Sequence, residues 1–262
     1  MRIFMTSTSY PADPADWRGT FIRQMVTALS ERPDIELAFW GPPGILPAAV
    51  QFACTDDDAH WLADLMARGG IAHLMRSRSI AAVAAPMQLL WRLRQAYRRA
   101  GKTDLFHANW LQTAMTIPSS KTPLLVTVLG TDFALLKLPL VAKRLRSVFA
   151  CRKTMIAPNA EWMVARLNEQ FGDVATVRHI PFGIDADYFN LERKEFGVAP
   201  RKWLLVSRLT KAKIGPLFDW GQSIFGGAAE LHVFGPMQER ISIPDWVHYH
   251  GATNPGALKT TW

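Results

Sequence analysis

The sequence predicts an α/β protein with parallel β-sheets in two domains, the second of them incomplete. Short apolar runs typical of strands alternate with segments of helical periodicity, the pattern of parallel sheets joined by right-handed crossovers. With 49% hydrophobic and 20% charged residues among 262, the chain is able to bury a core. A polar stretch at 190–200 interrupts the alternation, so we predict domains spanning residues 1–189 and 190–262.

The chain opens with a predicted strand, a loop that ends in glycine, and a helix. Arg2–Thr6 forms the strand, and apolar residues at helical spacing begin after Thr20. Between them, Gly19 has two interpretations: it lets a ligand approach the backbone at the helix start, or it relaxes the turn. A second strand is expected over Ile35–Trp40, before a glycine-proline break.

The next segment is less regular. We predict a helix over Ala59–Met66 and a short strand over Ile71–Leu74. A clearer helix opens at Pro86 and stops at Gly101, with one apolar face and one basic face that carries no acid. The cations on and just beyond it are Arg92, Arg94, Arg98, Arg99 and Lys102.

Two further strands are predicted at Asp104–Trp110 and Pro123–Val128. The second delivers Gly130 and Asp132 to its carboxyl end. The Asp132 carboxylate either binds a hydroxyl group of a polar substrate or caps the following helix. For His107, packing within the strand is the favoured interpretation.

A second basic amphipathic segment covers Pro139–Phe149. Two basic segments in one half of the chain suit an anionic membrane surface, where each cation contributes about 1 kcal/mol. Two ordinary docked helices explain the pattern equally well. The membrane-facing candidates are Arg92, Arg98, Arg99, Lys143 and Arg144.

Strands at Thr154–Ala157 and Val174–Ile180 enclose a helix for which Asn159 is the expected N-cap. The second strand leads into a turn that contains Gly183. After the boundary, strands at 230–234 and 247–249 end in Gly235 and Gly251, and a helix is expected from about residue 254.

Trp203–Val206 is an apolar run typical of a strand buried on both faces. It leads into a turn carrying Arg208, Lys211 and Lys213. The carboxyl edge of a parallel sheet is where ligands bind, and Gly215 with the following helix start would offer free N–H donors to an anion. This arrangement favours a phosphorylated small molecule, and a solvated basic turn is the alternative.

The net charge of +8 and the pI near 9.8 indicate anionic partners. Nucleic acid is disfavoured because the basic segments lack interleaved stacking aromatics and a recognisable binding motif. Cys54 and Cys151 lack metal-ligand spacing, so neither a disulfide framework nor a metal site is predicted. With neither a leader nor an 18-residue apolar run in the sequence, we expect a cytoplasmic protein, peripheral at the inner membrane face if membrane-bound.

The motifs, in their order, resemble the family-4 retaining glycosyltransferases, whose GT-B architecture sets two Rossmann-like domains across a cleft. The resemblance spans essentially the whole chain, and it depends on the order of the motifs because each alone is common. The matching segments are Tyr10-Pro11 to Gly19, Asp104-Leu-Phe-His107, Thr127-Val-Leu-Gly-Thr-Asp132, Pro181-Phe-Gly-Ile-Asp185, Ser207-Arg-Leu-Thr-Lys-Ala-Lys213, Val233-Phe-Gly235 and His248-Tyr-His-Gly251.

The resemblance implies a nucleotide-sugar donor held by the second domain and a glycan or lipid-linked acceptor, of envelope or exopolysaccharide type, held by the first. It implies no metal and no further cofactor. By matched position, Arg208 and Lys213 would neutralise the donor diphosphate, and Gly19 would lie in the loop near the phosphates and acceptor. The remaining implied positions are Gly130, Asp132 and Gly183 on the substrate side and Gly235 and Gly251 beside the nucleoside.

The chain departs from the family pattern at several positions. Leu129 stands where the family has a histidine that reaches the donor sugar. The paired glutamates of the family's Glu-x7-Glu motif would fall beyond Trp262, and the second domain is short, so we expect a fragment with poor or no turnover. A non-catalytic module that binds a membrane surface or a partner, with a degenerate sugar site, is the alternative that Leu129 favours. The other departures are Pro158, Phe182, Ser207 and Ile214.

Overall fold

The computed structural model describes residues 1–70, 80–184, 189–190, 201–225, 227, 229–253 and 258. The chain divides into two compact units, Met1–Ile184 (unit 1) and Asp185–Trp262 (unit 2). The boundary predicted between residues 189 and 190 lies slightly further along the chain. Each unit contains a parallel sheet with helical connections, so the predicted α/β class is confirmed.

The unit 1 sheet has seven parallel strands in the order β3-β2-β1-β4-β5-β6-β7. Strand β1 lies inside the sheet, with β2 on one side and β4 on the other. The strand order reverses there, and in open α/β sheets the crevice at such a point, outside the carboxyl ends of the strands, is the usual ligand site. The strands are β1 Arg2–Thr6, β2 Glu36–Trp40, β3 Val50–Phe52, β4 Leu105–Asn109, β5 Leu124–Val128, β6 Thr154–Pro158 and β7 Thr176–Val177.

Helices of unit 1 pack on both faces of this sheet. Alternate residues of β1 show the division: Ile3 and Met5 pack in one buried cluster with residues of the first helix, and Phe4 packs in another. The helices are α1 Thr20–Ser30, α2 Asp56–Ala67, α3 Ile80–Arg99, α4 Leu111–Ala114, α5 Pro139–Ala150 and α6 Val164–Phe171, with 3-10 helices at Thr131–Lys137 and Glu161–Met163.

Unit 2 is built on a three-stranded parallel sheet in the order β10-β9-β8. The buried cluster of this unit includes Leu209, Leu231 and Val233. The elements are β8 Arg201–Val206, α7 Lys211–Ile214, α8 Leu217–Gly221, β9 Ala229–Phe234 and β10 Val247–Gly251.

Strand β8 is not buried on both faces, so this prediction was wrong. Leu205 packs against the unit 2 core, whereas Leu204 on the opposite face is 43% exposed and Val206 is 55% exposed. The reason is position: β8 is the outer strand in the described part of the sheet, with β9 as its neighbour. An apolar run predicts the strand but not its place in the sheet.

Other differences concern element boundaries. Helix α3 begins at Ile80 and continues through Pro86, although a proline inside a helix removes one hydrogen bond and crowds the carbonyl four residues earlier. The three-residue strand β3 was missed, and Asn159 is not the N-cap of α6, which follows a 3-10 turn. The strand predicted over 71–74 and the helix predicted from 254 lie outside the described residues. Within the described residues, we find no helix with the length and apolar character needed to span a membrane.

Candidate functional site

The carboxyl ends of the three unit 2 strands adjoin one another. The Ser207 N–H, just after β8, donates to the Phe234 carbonyl at 2.9 Å. The Gly235 N–H, just after β9, donates to the Gly251 carbonyl at 2.7 Å. Ser207, Gly235 and Gly251 therefore lie in a row along the edge where the sequence predicts a ligand.

Gly235 is required by the close approach of the neighbouring strand. Its φ is +137°, and a Cβ at this position would lie 1.8 Å from the Ser207 carbonyl oxygen. Gly251 also has a positive φ of +72°, with open space around the direction a side chain would take. Gly235 therefore permits the close approach of two strand ends, and Gly251 leaves open space at this edge.

The segment after β8 holds the predicted cations on a fixed loop. Leu209 is buried, and its N–H donates to the Pro236 carbonyl at 2.9 Å. Thr210 then caps α7 by accepting the Lys213 N–H at 3.3 Å. Arg208 and Lys213 flank these anchored residues with exposed side chains, so the structure places both at the same edge of unit 2 as Gly235 and Gly251.

The Gly215 N–H is already occupied, which corrects the prediction for this one donor. Its N–H donates to the Lys211 carbonyl at 2.8 Å and closes the four-residue helix α7. The Lys211 N–H, at the start of that helix, donates to the Glu239 carboxylate at 2.8 Å. Neither of these two N–H groups is therefore free to bind an anion.

In unit 1, Gly19 lies at the amino end of α1 in a loop that is tightly packed. Its φ is +72°, and a Cβ would come within 2.7 Å of the Ser9 hydroxyl, so glycine is needed for both reasons. Three aromatic side chains cluster near this loop. Phe21 stacks on Phe182 at a centroid distance of 4.9 Å and approaches Trp110 edge-on at 6.0 Å.

Trp110 is the one non-glycine residue with a positive φ in the described part of the chain. It follows β4 with φ of 71° and ψ of 143°, a conformation that costs about 1–3 kcal/mol and persists only where surrounding contacts enforce it. Such strain concentrates at functional sites. Trp110 was predicted only as the residue at which a strand runs into a loop, and nothing in the spacing of residues signals its backbone conformation.

The Asp132 carboxylate has a structural role in unit 1. Its carboxylate accepts the Leu111 N–H at 2.8 Å and the Leu129 N–H at 3.0 Å, which joins the loops that follow β4 and β5. Burial raises its pKa, and the backbone N–H groups of Leu111 and Leu129 oppose the rise. The residue is only 2% exposed, and its two hydrogen bonds fix the backbone beside Trp110.

The other substrate-side positions differ in exposure. Gly130 has a φ of +101° with open space around it, and Gly183 is exposed. Leu129 packs against the buried cluster that contains Trp110. His107 is buried, its Nε2 lies 2.8 Å from the Thr127 hydroxyl, and burial lowers its pKa to about 4, so it is the packed strand histidine that the sequence favours.

The basic face of α3 is partly neutralised by α2, which corrects the prediction for Arg92. This residue is buried and pairs with Asp57 at 2.7 Å and Asp58 at 2.9 Å. Arg99 pairs with Asp58 at 2.6 Å. The acids come from another helix, so the absence of acids on α3 itself was misleading. Of the other candidates, Arg98 and Lys143 are exposed, and Arg144 is exposed while donating to the Met115 carbonyl.

No protein-family model matches this chain, and no curated protein matches its sequence significantly.

Proposed function

We propose that the chain is the donor-binding and acceptor-side part of a retaining glycosyltransferase that uses a nucleotide-sugar. The observation that carries the proposal is the unit 2 edge, where exposed Arg208 and Lys213 accompany the backbone at Gly235 and Gly251. A nucleoside diphosphate has two parts that would complement this edge. Its anionic diphosphate would meet the cations, and its flat base would lie against the backbone. In this proposal the two α/β units are the Rossmann-like domains of a GT-B enzyme related to family 4.

The chemistry follows from the charge that develops on the leaving group. As the glycosidic bond breaks, negative charge accumulates on the departing nucleoside diphosphate, and fixed cations stabilise it. Arg208 and Lys213 would supply these cations without a metal at the diphosphate. The acceptor, a glycan or lipid-linked saccharide, would lie along the unit 1 edge at Gly19, Gly130 and Gly183.

Nucleotide binding tests the proposal independently of turnover. Titration calorimetry with UDP, GDP and ADP should identify at least one that binds the full chain. Arg208→Ala and Lys213→Ala should each weaken it about 10- to 100-fold, because a charge-assisted hydrogen bond contributes about 1.5–3 kcal/mol.

Arg201→Ala is the matched control, since this exposed arginine begins β8 and Arg208 follows its other end. It should leave the affinity unchanged. The proposal fails if none of the three nucleotides binds, or if the Arg201 and Arg208 variants lose affinity equally.

A second candidate function, binding to an anionic membrane surface, is favoured by an exposed stripe on α3. Met87 is 67% exposed and Trp91 is 57% exposed, and Arg94 and Arg98 follow them as exposed cations. The four residues are spaced by four, three and four positions, so they lie on one face of the helix. An apolar end beside a basic end suits a lipid interface.

Vesicle flotation tests this second candidate. Reversing both charges with Arg94→Glu and Arg98→Glu should reduce binding to vesicles rich in phosphatidylglycerol by at least about tenfold, because each cation contributes about 1 kcal/mol near an anionic surface. The control reverses Arg68 and Arg166, two exposed arginines of α2's end and α6 that are held in local surface ion pairs. Equal losses in both double variants would rule out a specific role for the α3 stripe.

A further inference from the structure

Four titratable side chains gather on one face of the unit 2 sheet. Along β9, Glu230 and His232 alternate with Leu231 and Val233, which face the core. In the parallel register, His248 of β10 lies directly opposite His232. The strand register shifts after Tyr249, and His250 also lies beside the His232 ring. Strand alternation and strand pairing together thus bring residues from two distant segments to one place.

The distances within this group are those of potential ligands. One ligand atom each from Glu230, His232 and His248 all lie within 4.8 Å of one another. The His232 ring stacks on His248 at a centroid distance of 4.7 Å, and its Nε2 lies 3.1 Å from the Glu230 carboxylate. Glu230 and His232 are half-buried and His248 is exposed, so an ion from solvent can reach the group.

The fourth residue, His250, is placed to orient His232. The two rings are nearly parallel, and His232 Nδ1 lies 3.0 Å from His250 Nε2. A histidine that binds a metal through one nitrogen donates its other N–H to a neighbouring acceptor, which fixes the tautomer. A hydrogen bond from His232 Nδ1 to His250 leaves the Nε2 lone pair directed to the side on which Glu230 lies.

The donor set favours a transition metal of intermediate softness over a hard or a soft ion. Two imidazoles and one carboxylate are a known three-ligand combination for Zn²⁺, with solvent completing the coordination. Mg²⁺ and Ca²⁺ prefer oxygen ligands, and Cu⁺ prefers sulfur, so neither class fits this set as well. The ligand atoms must approach one another for a Zn–N bond of about 2.0–2.1 Å, which rotation of the exposed His248 side chain allows.

We propose that Glu230, His232 and His248 form a Zn²⁺ site on this sheet face, with His250 as the positioning residue for His232. The ion replaces the contact between His232 Nε2 and the Glu230 carboxylate. It joins β10 to β9 and leaves an accessible coordination position. The site lies on a sheet face and shares no residue with the nucleotide edge, so the proposal stands independently of the glycosyltransferase.

Zn²⁺ titration of the full chain against a chromophoric chelator tests the site at pH 7.5. We expect one tight equivalent, which His248→Ala or Glu230→Gln should weaken by more than about 100-fold and His250→Ala by about 10- to 100-fold. The exposed histidines of unit 1 provide matched controls, and His60→Ala and His179→Ala should leave the affinity unchanged. Binding should also weaken below about pH 6.5, because protons compete for the imidazoles.

A second measurement uses the unaltered chain and so avoids any folding defect of the variants. Zn²⁺ should protect His232 and His248 from diethylpyrocarbonate, as measured by mass spectrometry of peptides, while His60 and His179 remain reactive. The proposal is overturned if no stoichiometric Zn²⁺ binds, if the ligand and control variants bind alike, or if protection is uniform among these histidines.

Discussion

Asp58→Ala should destabilise unit 1 by about 3 kcal/mol, because it leaves a buried guanidinium without its counter-ion. The Asp58 carboxylate accepts hydrogen bonds from Arg92 at 2.9 Å, Arg99 at 2.6 Å and the Trp40 indole at 3.2 Å. Asp58 is 3% exposed and Arg92 is 6% exposed. We take the low end of the range for buried ion pairs since Asp57 and Arg99 connect the network to solvent. Urea unfolding followed by tryptophan fluorescence measures the change.

The control for this prediction lies on the same helix. Asp64→Ala removes an exposed ion pair with Arg68 and should cost less than about 1 kcal/mol. Pairing Asp58→Ala with Arg92→Met should recover part of the loss, because the buried charge is removed together with its partner. A loss at Asp58 no greater than that at Asp64 would contradict the assigned role of the network.

The same network predicts a pH dependence. Burial alone would raise the pKa of Asp58, but the hydrogen bonds from Arg92 and Trp40 and the charge of Arg99 outweigh it, and the pKa is lowered overall. The stabilisation is therefore present above the unfolded-state pKa of about 4 and is lost as the pH falls through the lower folded-state value. The difference in unfolding free energy between wild type and Asp58→Asn should accordingly shrink below about pH 4.

Asp132→Ala should cost about 2–5 kcal/mol, since it leaves two N–H groups in the loops beside Trp110 without their acceptor, at about 1–3 kcal/mol each. These are the N–H groups of Leu111 and Leu129. Asp132→Asn should reduce the free energy of unfolding by less than Asp132→Ala. The amide oxygen still accepts one of the two N–H groups, and only the other N–H, which faces the NH₂ group, loses its acceptor. Because the bonds hold the backbone on either side of a strained residue, near-UV circular dichroism of the tryptophans should change as well. Chemical unfolding measures the change in unfolding free energy for both variants.

Asp104→Ala is the matched control for Asp132. The Asp104 carboxylate also accepts a backbone N–H, that of Arg2 at 2.7 Å, but at the exposed amino end of the same sheet. Water replaces the lost acceptor there, so the cost should stay below about 1 kcal/mol. If Asp104 and Asp132 gave equal losses, burial would not be the source of the Asp132 effect.

The order of strands and helices was predictable because it depends on local periodicity. Strands β1, β4 and β5 and helix α1 lie close to their predicted limits, since alternating apolar runs and helical stripes are properties of neighbouring residues. The short strand β3 was not predictable, as three residues carry too little pattern. The start of α3 was missed because Pro86 was taken as a first-turn signal, the position that proline prefers, whereas it lies inside the helix.

The candidate sites show the same division between local and distant information. Arg208 and Lys213 could be assigned to a strand's carboxyl end from sequence, and Gly235 could be placed at the next strand end. The sequence could not show that the Gly215 N–H is occupied, because its partner is the carbonyl that closes α7. The histidine group was also missed: Glu230-x-His232 and His248-x-His250 alternate visibly, but only strand pairing shows that the two segments meet.

By itself, the sequence determined the α/β class, the succession of most elements and which glycines and cations follow strand ends. These features follow from residue type and from spacing within a few positions. Tertiary structure alone decided that Arg92 is buried against Asp58, that Asp132 joins two loops and that Trp110 adopts a positive φ. The physical reason is that burial, charge pairing and backbone strain depend on which distant segments pack together, and a linear pattern carries no such information.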